Sequence, residues 1–127
     1  MSNLEKFKVV IAGGRDFSDA RHYITLKKTL DFMLQKKREA YEIIIISGCA
    51  RGADSLGEEY ARERGYDCME FPANWTKYGR GAGHRRNAEM CTACDAVIAF
   101  WDGKSKGTAG MIALAKKNDK LLKVVRY

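Results

Sequence analysis

A chain of 127 residues is long enough to bury one hydrophobic core, so it needs neither a second domain nor a disulfide framework. Apolar residues make up 46% and charged residues 31%, which excludes a disordered chain, and the longest apolar run, Ile43 to Ile46, is far too short to cross a bilayer. The formal net charge of +7, with an isoelectric point near 9.3, favours anionic partners without choosing between nucleic acid and phosphorylated small molecules.

The first strand is predicted at Lys8 to Ala12, a short run rich in β-branched residues that stops at Gly13-Gly14. From an N-cap at Ser18, Tyr23, Leu26, Leu30, Met33 and Leu34 follow helical spacing, predicting an amphipathic helix to about Lys37. Glu42 to Ile46 reads as a buried strand, and the loop Ser47-Gly48-Cys49-Ala50-Arg51-Gly52 leads into a helix over Ala53 to Arg64, closed by Gly65.

A third strand spans Tyr66 to Phe71 and is stopped by Pro72. A loop over Ala73 to Gly83 then precedes a helix from about His84 to Thr92. Asp95 to Trp101 is the fourth strand, Asp102 to Gly107 a third glycine-containing loop, Thr108 to Lys117 a helix and Leu121 to Val125 the last strand. Strict alternation of strands and helices predicts an α/β fold, a Rossmann-like three-layer sandwich with a mainly parallel five-stranded sheet, formed by residues 1–127 as one domain.

In such sheets ligands sit beyond the carboxyl ends of the strands, where helix N-termini offer free N–H groups to anions. Three loops arrive at that edge, and each couples glycine to a cation: Gly13-Gly14-Arg15-Asp16, the loop from Ser47 to Asp54, and Gly103-Lys104-Ser105-Lys106-Gly107-Thr108. Glycine lets the backbone approach a phosphate, Arg15, Arg51, Lys104 or Lys106 would neutralise it, and Ser47, Ser105 and Thr108 carry hydroxyl donors. None of the loops has the spacing of a P-loop or of the GxGxxG fingerprint, which argues against a standard NTPase or dehydrogenase.

Val10 to Phe17, Ser47 to Asp54, Gly83 to Met90 and Ala99 to Thr108 together resemble the YspA-like branch of the SLOG superfamily. The resemblance implies a Rossmann-like fold and a pocket for nucleotides or derivatives such as ADP-ribose, in proteins that are often sensors or binders and occur in phage and bacteria. It implies a homo-oligomer, and it adds Arg86 and Asn87, at the start of a helix, to the site. The candidate ligand-binding set is therefore Gly13, Gly14, Arg15, Asp16, Ser47, Gly48, Arg51, Gly52, Asp54, Arg86, Asn87, Trp101, Gly103, Ser105, Gly107 and Thr108.

Gly103 to Met111 is distantly similar to the PGGxGTxxE motif of the Lonely Guy phosphoribohydrolases, and Arg86 to their arginine, but Met111 occupies the place of the motif's glutamate. A thioether cannot move a catalytic proton, so N-glycosidic cleavage would need Asp16, Asp54, Glu89 or Asp102 instead, and no catalytic residue is assigned. A nucleotide hydrolase and a single-stranded nucleic-acid binder, the latter from the resemblance of such folds to the DNA-processing protein A domain, stand as alternatives to a nucleotide binder.

Trp75 and Trp101 lie in or beside the loops, as stacking platforms for a base or as core plugs. Cys91 and Cys94 form a single CxxC near a helix end, and His22 and His84 have no ligand spacing, so no metal or other cofactor is expected. Ser47 lacks a nucleophile elbow. Met1 to Val10 lacks the features of a signal peptide and the four cysteines suit a reducing compartment, so a cytoplasmic location without membrane contact is expected.

Overall fold

The computed structural model describes residues 4–127, so the first three residues of the Met1 to Val10 stretch weighed above lie outside the described residues. The elements in chain order are β1 (Lys6–Gly13), α1 (Ala20–Leu34), α2 (Lys37–Ala40), β2 (Glu42–Ser47), α3 (Ala53–Arg64), β3 (Asp67–Glu70), α4 (Trp75–Tyr78), a 3₁₀ turn (Gly79–Gly81), α5 (Ala82–Ala93), β4 (Ala96–Trp101), α6 (Lys106–Lys117) and β5 (Leu121–Arg126). All pairings are parallel, in the order β3-β2-β1-β4-β5, so the sheet is wholly rather than mainly parallel. Among the described residues no helix is long and apolar enough to cross a membrane.

Alternation along the central strands divides the core. Val9 and Ile11 of β1 join Ile43, Ile45, Ile98 and Phe100 beneath the apolar faces of α1 and α3, where Leu26, Leu30, Leu34 and Tyr60 are buried. Val10 and Ala12 point the other way and meet Ile46, Val97 and Ala99 under Met90 and Cys91 of α5 and Met111 and Ile112 of α6. Helices thus cover both faces of the sheet.

The chain leaves β1 outward in one direction through β2 and β3 and in the other through β4 and β5, so the topological switch point lies between β1 and β4. In a parallel sheet this opens a crevice at the carboxyl edge, because the crossovers on either side cover opposite faces.

Local differences from the sequence reading have local causes. Helix α1 is capped by Asp19 rather than Ser18: Asp19 accepts the His22 amide at 2.8 Å while the His22 ring accepts the Ser18 amide at 3.0 Å. The segment before His84, predicted as loop, contains α4, capped by Asn74, and the first turn of α5. Neither has the apolar periodicity that marks a helix in sequence.

Candidate functional site

A cleft of about 560 Å³ opens at the switch point. Its lining includes the apolar, buried Ala12, Met90 and Met111, and it carries Gly13, Gly14, Arg15 and Asp16 after β1, Asp54 at the start of α3, and Asp102, Ser105, Gly107 and Thr108 before and in α6. Helix α5 contributes Gly83, His84, Arg86 and Asn87.

Close backbone packing builds the β1 loop. The Gly14 amide donates to the Phe100 carbonyl, and the Gly14 carbonyl accepts from Phe17 and from Ala53, the first residue of α3. A Cβ on Gly13 would lie 2.7 Å from that of Ala53, so glycine is required for contact between this loop and α3. The Asp16 carboxylate lines the cleft and accepts the Tyr127 hydroxyl at 2.5 Å. Tyr127 in turn packs on Phe17 and His22.

Arg86 ties α5 to the β2 loop. Its Nη1 donates to the Gly48 carbonyl at 2.5 Å and its Nε to Asn87 Oδ1 at 3.0 Å, while Asn87 Nδ2 reaches the Gly107 carbonyl at 3.4 Å. A Cβ on Gly48 would fall 2.8 Å from Arg86 Nη1 and 2.9 Å from Asp54 Oδ2, so Gly48 keeps the space between them clear. Burial pushes the Asp54 carboxyl up to about 6, against the opposing pull of the Ala50 amide, which donates to it at 3.1 Å, and of the Arg86 charge.

At the α6 end, Ser105 is the N-cap, and Asp102 accepts the amides of Ser105 and Lys104, both at 2.8 Å, which hold its carboxyl below the usual range. This leaves the start of a twelve-residue helix, at Gly107, facing the cleft, and a Cβ on Gly107 would meet nothing within 4 Å.

Of the candidate residues, Gly13, Gly14, Arg15, Asp16, Asp54, Arg86, Asn87, Ser105, Gly107 and Thr108 meet around this cleft. Ser47 does not: it is 1% exposed, and its hydroxyl donates its proton to Glu58 at 2.6 Å and accepts the Cys49 amide. Gly52, at φ 81°, is packed against the backbone of Gly14 and Arg15, and Gly103, at φ 85°, against Arg126. Trp101 does not line the cleft; its indole donates to the Ser105 carbonyl at 3.0 Å, with Arg126 over the ring. Of the acids weighed for catalysis, Glu89 is exposed outside the cleft.

Gly48 and Arg51 line a second cleft of about 350 Å³, together with Cys49, Pro72 and Ala73. Trp75, Arg15, Ala50 and Arg86 border both clefts. Arg80, flanked by Gly79 and Gly81, and His84 were missed as site residues, although the glycine–cation pairing that marks Gly14-Arg15 is present at Arg80 too. Cys91 and Cys94 are buried thiols directed at backbone carbonyls. Cys49, Glu58 and Glu70 place potential ligand atoms within 4.8 Å of one another, but Cys49 and Glu70 are exposed and Glu58 already accepts from Ser47.

The fold and cleft define a Rossmann-like α/β protein with a crevice at the carboxyl edge of its sheet. Residues 7–78 match the YspA, cpYpsA-related SLOG family, and the chain belongs to that family. It is 35% identical over 86 residues to the Gene 61 protein of Mycobacterium phage D29, a match covering 63% of this chain and 69% of that protein. Its fold is similar to that of DNA processing protein A from Helicobacter pylori, whose structure is described for its single-stranded DNA binding mode, with a TM-score of 0.63 and 22% identity. The superposition covers 95% of this chain and 66% of that one.

Proposed function

We propose that this chain binds a nucleotide or nucleotide-derived ligand in the switch-point cleft, as a sensor or binder. The observation that carries the reading is the meeting, around one cleft, of the Gly14 loop, the open start of α6 and the Arg86–Asn87 pair of α5. Backbone N–H groups, a helix dipole and a guanidinium are the groups that recognise phosphate, and the apolar lining at Ala12, Met90 and Met111 offers a surface to a base or sugar.

Binding is favoured over turnover by the state of the acids. Asp16 holds Tyr127, Asp102 holds two loop amides and Asp54 holds the Ala50 amide, while Met111 stands where the Lonely Guy motif has glutamate. Each carboxylate in the cleft is thus committed to shaping a loop.

Native mass spectrometry with AMP, NAD, ADP-ribose and cyclic nucleotides tests this reading. It predicts an intact adduct that Arg86→Ala abolishes. Release of a base or phosphate would make the protein a hydrolase, and no adduct would overturn the reading. The same spectra test whether the chain forms the expected homo-oligomer.

The second reading, single-stranded nucleic-acid binding, is supported by the structural neighbour and by the net charge of +7. It predicts tight binding to single-stranded DNA that survives moderate salt. Loss of affinity in step with rising salt, with no preference for single over double strands, would reduce it to charge attraction.

A further inference from the structure

The carboxyl ends of β2 and β3 carry a cluster that the switch-point cleft does not use. Cys49 in the loop after β2, Glu58 on α3 and Glu70 at the end of β3 bring a thiol sulfur and two carboxylate oxygens within 4.8 Å of one another. The sheet fixes this meeting: Ser47 pairs with Glu70 in the parallel register, and the Phe71 amide donates to the Ser47 carbonyl at 2.8 Å.

Negative charge is left uncompensated there. In a chain of net charge +7, Glu58 and Glu70 take part in no ion pair among the described residues, and the Glu70 carboxylate accepts no hydrogen bond. Ser47, itself buried, donates to Glu58 Oε2 at 2.6 Å and so orients that carboxylate, while Glu58 Oε1 accepts nothing. Cys49 sits at φ 64°, an uncommon angle for a residue with a side chain, and its amide donates to Ser47 Oγ at 3.1 Å. Its sulfur makes only a 3.9 Å contact with the Ser47 carbonyl, so the thiol is free to turn.

A thiolate and two carboxylates at this spacing repel one another unless a cation stands between them. Sulfur among the donors disfavours magnesium and calcium, which take oxygen ligands, whereas zinc takes thiolate and carboxylate together. Bonds of about 2.0–2.3 Å to a tetrahedral zinc hold the ligand atoms roughly 3.5 Å apart. Rotation of the exposed Cys49 and Glu70 side chains supplies that contraction, and their exposure gives an ion its way in.

We infer that Cys49 Sγ, Glu58 Oε1 and a Glu70 carboxylate oxygen form a zinc site that ties the edge strand β3 to α3 and to the loop after β2. Ser47 is its positioning residue, through Glu58. The Cys49 proton passes to the buffer as the sulfur–zinc bond forms, and no electrons are exchanged. The site draws on none of Cys91, Cys94, His22 and His84, and no ligand spacing announces it in the sequence, because three separate elements supply the donors. It stands independently of the nucleotide reading.

Calorimetry of the metal-stripped full chain with Zn²⁺, Co²⁺ and Mg²⁺, without nucleotide, tests the site. One Zn²⁺ is expected per chain, Mg²⁺ is expected not to compete, and Co²⁺ is expected to produce a thiolate-to-metal charge-transfer band. Cys49→Ser abolishes that band, and Cys49→Ser, Glu58→Gln and Glu70→Gln each weaken Zn²⁺ binding about tenfold or more. Glu58→Gln keeps an oxygen for the Ser47 hydroxyl, and Cys68→Ser leaves binding unchanged. Absence of Zn²⁺ binding overturns the site, as does binding that survives Cys49→Ser or is lost in Cys68→Ser.

A second measurement needs no variant. Cys49 and Cys68 are both exposed thiols of the native chain. Saturating Zn²⁺ is expected to slow alkylation of Cys49 by N-ethylmaleimide by about tenfold or more relative to Cys68. Equal protection of the two thiols, or protection of neither, overturns the assignment and leaves the nucleotide reading untouched.

Discussion

Arg86 on α5 donates to the carbonyl of Gly48, 38 positions earlier in the chain, and so fastens the loop after β2 to the helix on the opposite face of the sheet. Because the bond is charge-assisted and partly buried, truncation leaves the carbonyl without its partner. Arg86→Ala is expected to lower unfolding free energy by about 1.5–3 kcal/mol in urea titrations. Arg86→Lys restores charge but not the fork that also reaches Asn87, and is expected to recover stability only in part.

Asp54 makes stability depend on pH in the mildly acidic range. Its folded-state pKa of about 6 lies above the ordinary 3.8, so the folded protein holds this proton more tightly than the unfolded chain. The contribution is fully present below 3.8 and is lost as the pH rises through about 6, a loss of roughly 3 kcal/mol. Asp54→Asn keeps an oxygen for the Ala50 amide and carries no charge. Denaturation profiles should therefore show the variant gaining on the native chain between pH 4 and about 6.5; parallel profiles would sink the assignment.

The glycines of the loops do different things, and alanine separates them. At Gly52 a Cβ would strike the Gly14 carbonyl and the Arg15 backbone at a positive φ, so Gly52→Ala should destabilise by about 2–4 kcal/mol in thermal unfolding. At Gly107 there is open space on a helix, so Gly107→Ala should leave stability equal or up to about 1 kcal/mol higher. Its methyl group covers the start of α6, and nucleotide affinity should fall.

Tyr127 is expected to shape the site from a distance. Burial, followed by the bond to Asp16, pushes its hydroxyl well above the usual range, so it stays a donor at every physiological pH. Tyr127→Phe keeps the ring on Phe17 and releases Asp16. Unfolding should cost about 0.5–1.5 kcal/mol less, and calorimetry should record weaker nucleotide binding. Unchanged affinity would show that the position of Asp16 is irrelevant to the ligand.

The strands and long helices were legible because their signals are local. Strands buried on both faces read as unbroken apolar runs such as Ile43 to Ile46, and Leu26, Leu30 and Leu34 repeat at helical spacing. Helix α4 was missed because its four residues carry no period, and with it the approach of Arg80 and His84 to the cleft.

For the site, the sequence alone determined that three glycine loops reach one edge of a parallel sheet, since that follows from strand order and the direction of crossovers. Tertiary structure decided which side chains face the crevice. Ser47 was claimed by Glu58, Trp101 by Ser105 and Asp16 by Tyr127, while Gly48 and Arg51 were turned to a second cleft and Trp75 was left at the boundary. A polar side chain at a strand end goes to the partner that satisfies it. Partners such as Tyr127, 111 positions from Asp16, are brought near only when the sheet and its helices have packed.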